Sequence, residues 1–423
     1  MENSLVISGT GQEENYFASS LLMSSILKPA ESGFPESRFA LFDLGFRPFF
    51  LGAVIYSIVV MLFWTAVYAF HVALPMDGLS AYQWHAHEMV FGYSMAVIAG
   101  FLLTAVKNWT GIQTVHGPAL AAIFSLWLIA RLLFLFGSKF IDVAAFFDLF
   151  FMLSILVAVV YPIIKSRNWR QLGILAKIGL LIVANLCFYL GYMGILEQGM
   201  RWGIYGGLYL VIGLILTISG RVIPFFIERG VGYPVQLYNP KWITLLGLLL
   251  FLVFVISDLF LENPVITGYT SVGLLIVYSV RLAGWYTPGI WKKSLLWSLY
   301  LAMLFINIGF LLFALNAFTG VSKFIAIHAF TYGGIGVITV AMMARVALGH
   351  TGRNFNNPPA AVKYIFALML VGTIFRVLLP LFLPEYYLNW IMLSQLFWIA
   401  GFLLFVITYA PILIKSRIDG QFG

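Results

Sequence analysis

The stretch WHAHEMVFGYSMAVIAGFLLTAV, residues 84–106, decides the fold. Wound as a helix at about 1.5 Å per residue it is long enough to cross the apolar core of a bilayer, which takes about 20 residues. After Glu88 it holds no charge until Lys107. Such a run is a membrane span, and its opening residues His85, His87 and Glu88 then lie where ionisable groups are costly and their default reading is functional.

Working outward, eleven more runs of this kind are found, which gives an all-α, polytopic bundle of twelve spans. Their expected limits are 49–71, 84–106, 118–136, 141–163, 172–193, 202–226, 242–261, 265–285, 295–318, 324–348, 362–382 and 388–413. Residues 49–413 thus form one transmembrane domain between tails at 1–48 and 414–423. Composition agrees: 62% of the 423 residues are hydrophobic and only 9% charged, against roughly 25% in a soluble domain, and the mean hydropathy is +0.97. No basic segment precedes an early apolar run, so no cleavable signal peptide is expected.

The net charge of +8 does not imply a nucleic-acid partner, because the basic residues flank the spans. Fifteen Lys and Arg, among them Arg47, Lys107, Lys165, Arg229, Lys292 and Arg353, fall on the side of the two termini; only Lys139, Arg201 and Lys323 fall opposite. The positive-inside rule places both termini in the cytoplasm. A lone cysteine, Cys187, excludes disulfides, cysteine-rich zinc sites, iron–sulfur clusters and covalent haem attachment, so any metal must be held mainly by histidine.

At about 100° per residue His85 and His87 point to nearly opposite faces, with Glu88 beside His85. They do not readily chelate one ion, so they serve two centres, or one is a ligand and the other a hydrogen-bond partner. The competing reading, histidines merely solvated at the interface, is weakened by three ionisable groups within four residues. Span 10 opens at the same depth with His328-Ala329, as span 2 does with His85-Ala86, and the two close with Thr351-Gly352 and Thr110-Gly111, as distant copies would. Gly333, Gly334 and Gly336 allow close backbone approach, with helix packing the simpler use and a flat cofactor the other. His350 lies 22 residues beyond His328, about 33 Å along a helix, so the two cannot share one metal.

A second polar tier lies at the cytoplasmic ends, with Asp43, Arg47, Arg221, Arg345, His350 and Arg353. It suits an anion such as haem propionates or a polar substrate, or else holds arginines that snorkel to headgroups; Arg221 and Arg345 lean toward function because no acid is near them in sequence. His71 and His116 are assigned to solvent by position, and Met342-Met343 to core filling rather than copper.

Several motifs together resemble the NnrS family: Leu44-Gly45-Phe46-Arg47-Pro48-Phe49-Phe50, Trp84-His85-Ala86-His87-Glu88-Met89, Gly100-Phe101-Leu102-Leu103-Thr104-Ala105-Val106 with Asn108-Trp109-Thr110-Gly111, Gly220-Arg221-Val222-Ile223-Pro224, and Met342-Met343-Ala344-Arg345 through Gly349-His350-Thr351-Gly352-Arg353. The chain departs from the pattern in its long N-terminal extension and at Lys107, where a small or proline-like residue is expected. The resemblance implies a bacterial inner-membrane protein with haem and copper, tied to nitric oxide and protection from nitrosative stress. His85, His87, His328 and His350 fall at motif positions. Signature spans 2, 6 and 10, four apart, are also similar to the threefold arrangement of the haem-copper oxidase core subunit, although no His-His pair stands on span 7.

From the resemblance, a b-type haem is expected on His87 and His328, with the choice between His87 and His85 left open. His85 beside Glu88 would bind copper or a second haem, Glu88 would exchange protons as the catalytic group, and His350 with Arg345 would form a separate site or, like Arg221, meet propionates. Nitric oxide is then the expected ligand and an unidentified donor the source of electrons, the alternative being a transporter or a haem- or copper-handling protein. In a Cys187→Ala background, a cysteine at Glu197 is expected to react with an impermeant maleimide added to intact cells and one at Asn168 to be shielded; the opposite labelling inverts the topology.

Overall fold

The structure is a computed structural model that describes residues 38–73 and 77–423. The tail expected over 1–48 therefore lies outside the described residues as far as residue 37. Among the described residues there is no strand, and twelve helical spans are long and apolar enough to cross a membrane. They are α1 (Phe46–Phe70), α2 (Ala81–Thr110), α3 (Gly117–Leu135), α4 (Ser138–Lys165), α5 (Trp169–Tyr192), α6 (Gly199–Gly230), α7 (Lys241–Leu261), α8 (Pro264–Trp285), α9 (Ser294–Thr319), α10 (Lys323–His350), α11 (Ala361–Phe382) and α12 (Pro384–Ile414).

Local chemistry sets the ends. Ser80 and Gln83 close a reciprocal cap at the start of α2, the Asn263 side chain accepts from Val265 and Ile266 before α8, and Gly111 ends α2 with φ 70°. Helices α2 and α6 each start three residues earlier and end four later than expected, α6 running on past Pro224 to Gly230. A proline inside a helix orphans the carbonyl four residues earlier. Here that carbonyl, of Gly220, accepts from Asn239 Nδ2 at 2.8 Å, so the helix continues.

Four spans switch to π-helical winding for part of their length: Glu88–Ser94 in α2, Ser257–Leu261 in α7, Ala329–Gly336 in α10 and Ile374–Leu378 in α11. In α2 and α10 the switch begins just after the histidines, so the likeness of these two spans extends to backbone geometry. Winding of this kind is common at functional sites; inside the α2 turn, Gly92 O accepts from Trp127 Nε1 at 3.0 Å as well as from the Met95 backbone.

Helices α2 and α10 are the innermost, with 78% of their apolar windows buried against 28% for α3. They meet each other and α6, while α12 packs on α1 and closes the ring. On the face that carries the described chain ends, Arg47 donates to the carbonyls of Leu413 at 2.8 Å, Lys415 at 2.7 Å and Gly423 at 2.5 Å, capping α12. Close by, the Arg417 guanidinium holds the Asp419 carboxyl below the usual carboxylate range.

The glycines of α10 serve helix packing: a Cβ on Gly333 would lie 2.7 Å from Phe305 and Thr373, and one on Gly334 2.6 Å from Ile306. Between α6 and α2, a Cβ on Gly207 would come within 2.6 Å of the Phe91 ring. Gly207→Leu is expected to cost about 1–3 kcal/mol through overpacking, read as a lower thermal midpoint in detergent. Gly179→Leu, where a Cβ meets nothing within 4 Å, should leave the midpoint unchanged.

Candidate functional site

The two histidines that open α2 diverge, as their spacing requires, and each enters a different cluster. His87 is fully buried, its ring stacked on Phe134 at 4.7 Å and packed on Phe188 at 4.2 Å. Its Nδ1 lies 2.7 Å from Glu88 Oε1 and its Nε2 2.9 Å from Asn185 Oδ1. The orientation of Asn185 is set by its amide nitrogen, which donates to Asp148 Oδ2 at 2.8 Å; turning the amide over would set its oxygen against a carboxylate. Both imidazole nitrogens therefore face acceptors and donate, and the ring has no lone pair to offer a metal.

Arg131 of α3 completes the cluster, donating to Glu88 Oε1 at 2.7 Å and pairing with Asp148 of α4. Tyr56 donates to Glu88, and Tyr189 to Asp148 at 2.9 Å. His87, Glu88, Arg131 and Asp148 all have side chains with no exposed surface. Two cations face two anions, so the group is neutral as a whole, which is what allows four charges to stand inside an apolar bundle. A side chain on Gly92 would intrude here, its Cβ falling 2.8 Å from Tyr56 and 3.1 Å from Arg131 Nη1.

His85 turns the other way. Its ring stacks on Trp64 of α1 at 4.5 Å with 16° between the planes, and its Nδ1 is buried without a hydrogen-bond partner. Arg376, in the π-helical turn of α11, stands close enough to feel the charge state of both His85 and His328. The Arg376 Nη2 donates to His328 Nε2 at 3.0 Å, and His328 Nδ1 donates to the Phe324 carbonyl at 2.7 Å. Tyr68, Tyr332 and Tyr387 surround the same guanidinium, whose Nη1 is also without a partner and which has no acidic partner among the described residues.

The helical twist sends His87 toward α3 and α5 and leaves His85 on the side of α10 and α11, so of the two histidines left open it is His85 that lies on the side of His328. Glu88 goes with His87, its carboxylate engaged by His87, Arg131 and Tyr56. His85 keeps one imidazole nitrogen free, whereas the Nε2 lone pair of His328 is taken up by Arg376, so this ring would hold a metal only by exchanging that hydrogen bond. The Phe324 carbonyl on its other nitrogen is the kind of contact that orients histidine ligands.

His350 is not brought to this pair. It ends α10 on the face of the chain ends, its ring 5.8 Å from Phe46. Arg345 lies flat over Phe226 at 3.7 Å and beside Phe355 at 4.9 Å, with no hydrogen bond or ion pair among the described residues. Arg221 is exposed and reaches Gln171 Oε1 at 3.4 Å. At 17 residues beyond His328, Arg345 is about 25 Å away along α10, too far to share one cofactor with the pair. His71 is exposed, and His116 is edge-on to Phe422 at 5.6 Å.

Sequence reading passed over Asp148 and Asn185, and gave Arg131 and Arg376 no role. Matching opposite charges by depth on successive spans would have paired Arg131 with Asp148; Arg376 has no such signal, because its partners are histidines on spans remote in sequence. Arg131→Leu leaves two buried carboxylates facing one imidazolium, and is expected to cost about 3–5 kcal/mol. Thermal unfolding in detergent measures this, and an unchanged midpoint would remove the ion-pair account of α2–α5.

No curated protein matches the chain. The model of the NnrS family, described as NnrS protein, matches residues 40–417, from the residues just before α1 to the turn that follows α12. The motifs at the head of α1, in both histidine spans and at the end of α6 all fall inside that match, and the chain is a membrane protein that belongs to the NnrS family.

Proposed function

We propose that this protein is a metal-containing bacterial inner-membrane protein, its termini cytoplasmic, that binds nitric oxide and protects the cell from nitrosative stress. His85 and His328 are its metal-binding pair. Family membership supports the class of function. The observation that carries the assignment is the buried, unpartnered Nδ1 of His85 on the span beside α10, where His328 is oriented by the Phe324 carbonyl and bonded to Arg376.

His85 and His328 would hold haem iron or copper, which would supply a centre able to bind nitric oxide. The chain's own residues do the rest. Trp64 fixes the plane of His85, and the Phe324 carbonyl fixes the tautomer of His328. Arg376, uncompensated by any acid among the described residues, offers its free Nη1 to a partly anionic ligand. His87 and Glu88 act as parts of the buried ion-pair cluster and hold α2 in register. Arg345 and Arg221, with His350, are left for a separate anion or metal group on the opposite face, and turnover as an oxidoreductase would need a donor that reaches one of these tiers.

Metal content per purified chain tests this. His85→Ala and His328→Ala are each expected to lose most of the haem or copper, whereas His87→Gln should keep it even if the protein is less stable. Loss in His87→Gln at full stability, with retention in the other two, would overturn the pair. Haem or copper that is substoichiometric and exchanges freely in the wild type would favour a transporter or metal-handling protein.

A further inference from the structure

We infer that Arg345, near the end of α10, binds a negatively charged phosphate group at the membrane surface on the face of the chain ends. The inference rests on the reading that leaves Arg345 to a separate anion group on that face, and it gives the anion its chemistry.

Arg345 is 8% exposed, yet it makes no hydrogen bond and no ion pair among the described residues. Other buried arginines are spent, Arg47 on the carbonyls that end α12 and Arg131 on Glu88 and Asp148. Glu228, the acid nearest Phe226 along α6, turns its Oε1 to the Leu237 amide at 3.0 Å, and no acid stands close enough to Arg345 to act on its charge. A cation so placed lacks its counter-charge within the described chain, and a bound anion supplies it.

What holds the guanidinium is aromatic: its carbon lies 3.7 Å from the centre of the Phe226 ring and 4.9 Å from that of Phe355. Contact through the flat face leaves the five N–H bonds directed outward in one plane, a fork that matches two oxygens of one phosphate. None of its nitrogens is sealed off without a partner, in contrast to Arg281 and Arg376. One helical turn further along the same face, a Cβ on Gly349 would meet nothing within 4 Å, so a ligand has room to approach.

Depth names the ligand. Arg345 stands five residues before the last residue of α10, about 7.5 Å inside it, which is the level of lipid headgroups. Basic sites between spans on the cytoplasmic side take such headgroups. The phosphate has two sources there, an anionic phospholipid and the free inorganic ion.

Thermal midpoints in detergent, at constant ionic strength, test this with short-chain phosphatidylglycerol and with inorganic phosphate, phosphatidylcholine of the same chain length serving as blank. Wild-type protein is expected to be stabilised saturably, and Arg345→Gln to need at least ten times more ligand for half the effect. Arg229→Gln, which removes an exposed charge from the same face, should match the wild type. Stabilisation by phosphatidylglycerol alone assigns the lipid headgroup, and stabilisation by inorganic phosphate the free ion. No response to either, or one that Arg345→Gln leaves unchanged or Arg229→Gln weakens equally, overturns the inference. A response lost in Arg221→Gln but kept in Arg345→Gln would preserve an anion group on this face and remove Arg345 as its holder. Should Arg345→Gln fail to fold, Arg345→Lys, which keeps the charge without the fork, is expected to weaken the response severalfold. The His85→Ala/His328→Ala protein should respond as the wild type does, so an error in the metal pair gives a different result.

Discussion

The neutral, closed group of two cations and two anions formed by His87, Glu88, Arg131 and Asp148 is the interaction on which the rest of the bundle depends. Each charge alone would be costly at this depth, and removing any one leaves an uncompensated ion. Tyr56, Asn185 and Tyr189 add hydrogen bonds from α1 and α5, so five spans share one network. With His87 held there by both ring nitrogens, the rotation of α2 about its axis is set, and His85 is directed to the opposite face.

The π-helical turns are the second half of this design. Each holds or adjoins a charged or histidine side chain: Glu88 in α2, Asp258 in α7, His328 just before the turn in α10, and Arg376 in α11. Locally wider winding re-aims side chains that regular helix geometry would place elsewhere. Asp258 takes Lys323 of α10 at 2.7 Å and Tyr209 of α6 at 2.5 Å, tying α6, α7 and α10 together near the start of α10, one and a half turns before His328. The histidine pair is thus set between two buried polar anchors, one on each side of the central trio of spans.

Most of the architecture was legible because burial in lipid imposes length and composition on each span separately. All twelve spans were expected within a few residues of where they lie, α6 through Pro224 included; what no local pattern reveals is the contact that sustains it, from Asn239 to the carbonyl that Pro224 orphans. The divergence of His85 and His87 was legible too, from helix twist alone. Which of them would meet His328 was not, since that depends on Asn185, Arg131 and Asp148, single polar residues in otherwise apolar helices without a motif. Nor could the reach of Arg376 to histidines on two other spans be read from α11 by itself.

From the sequence by itself came the helical membrane bundle of twelve spans and the kinship of α2 and α10. Those properties follow from local composition and from a periodicity that every helix shares. Only tertiary structure revealed the pairing of charges and which histidine of α2 turns toward α3 and α5 and which toward α10 and α11. These follow from how helices are rotated against one another, and around α2 that rotation is set by the pairing of Glu88 and Asp148 with Arg131.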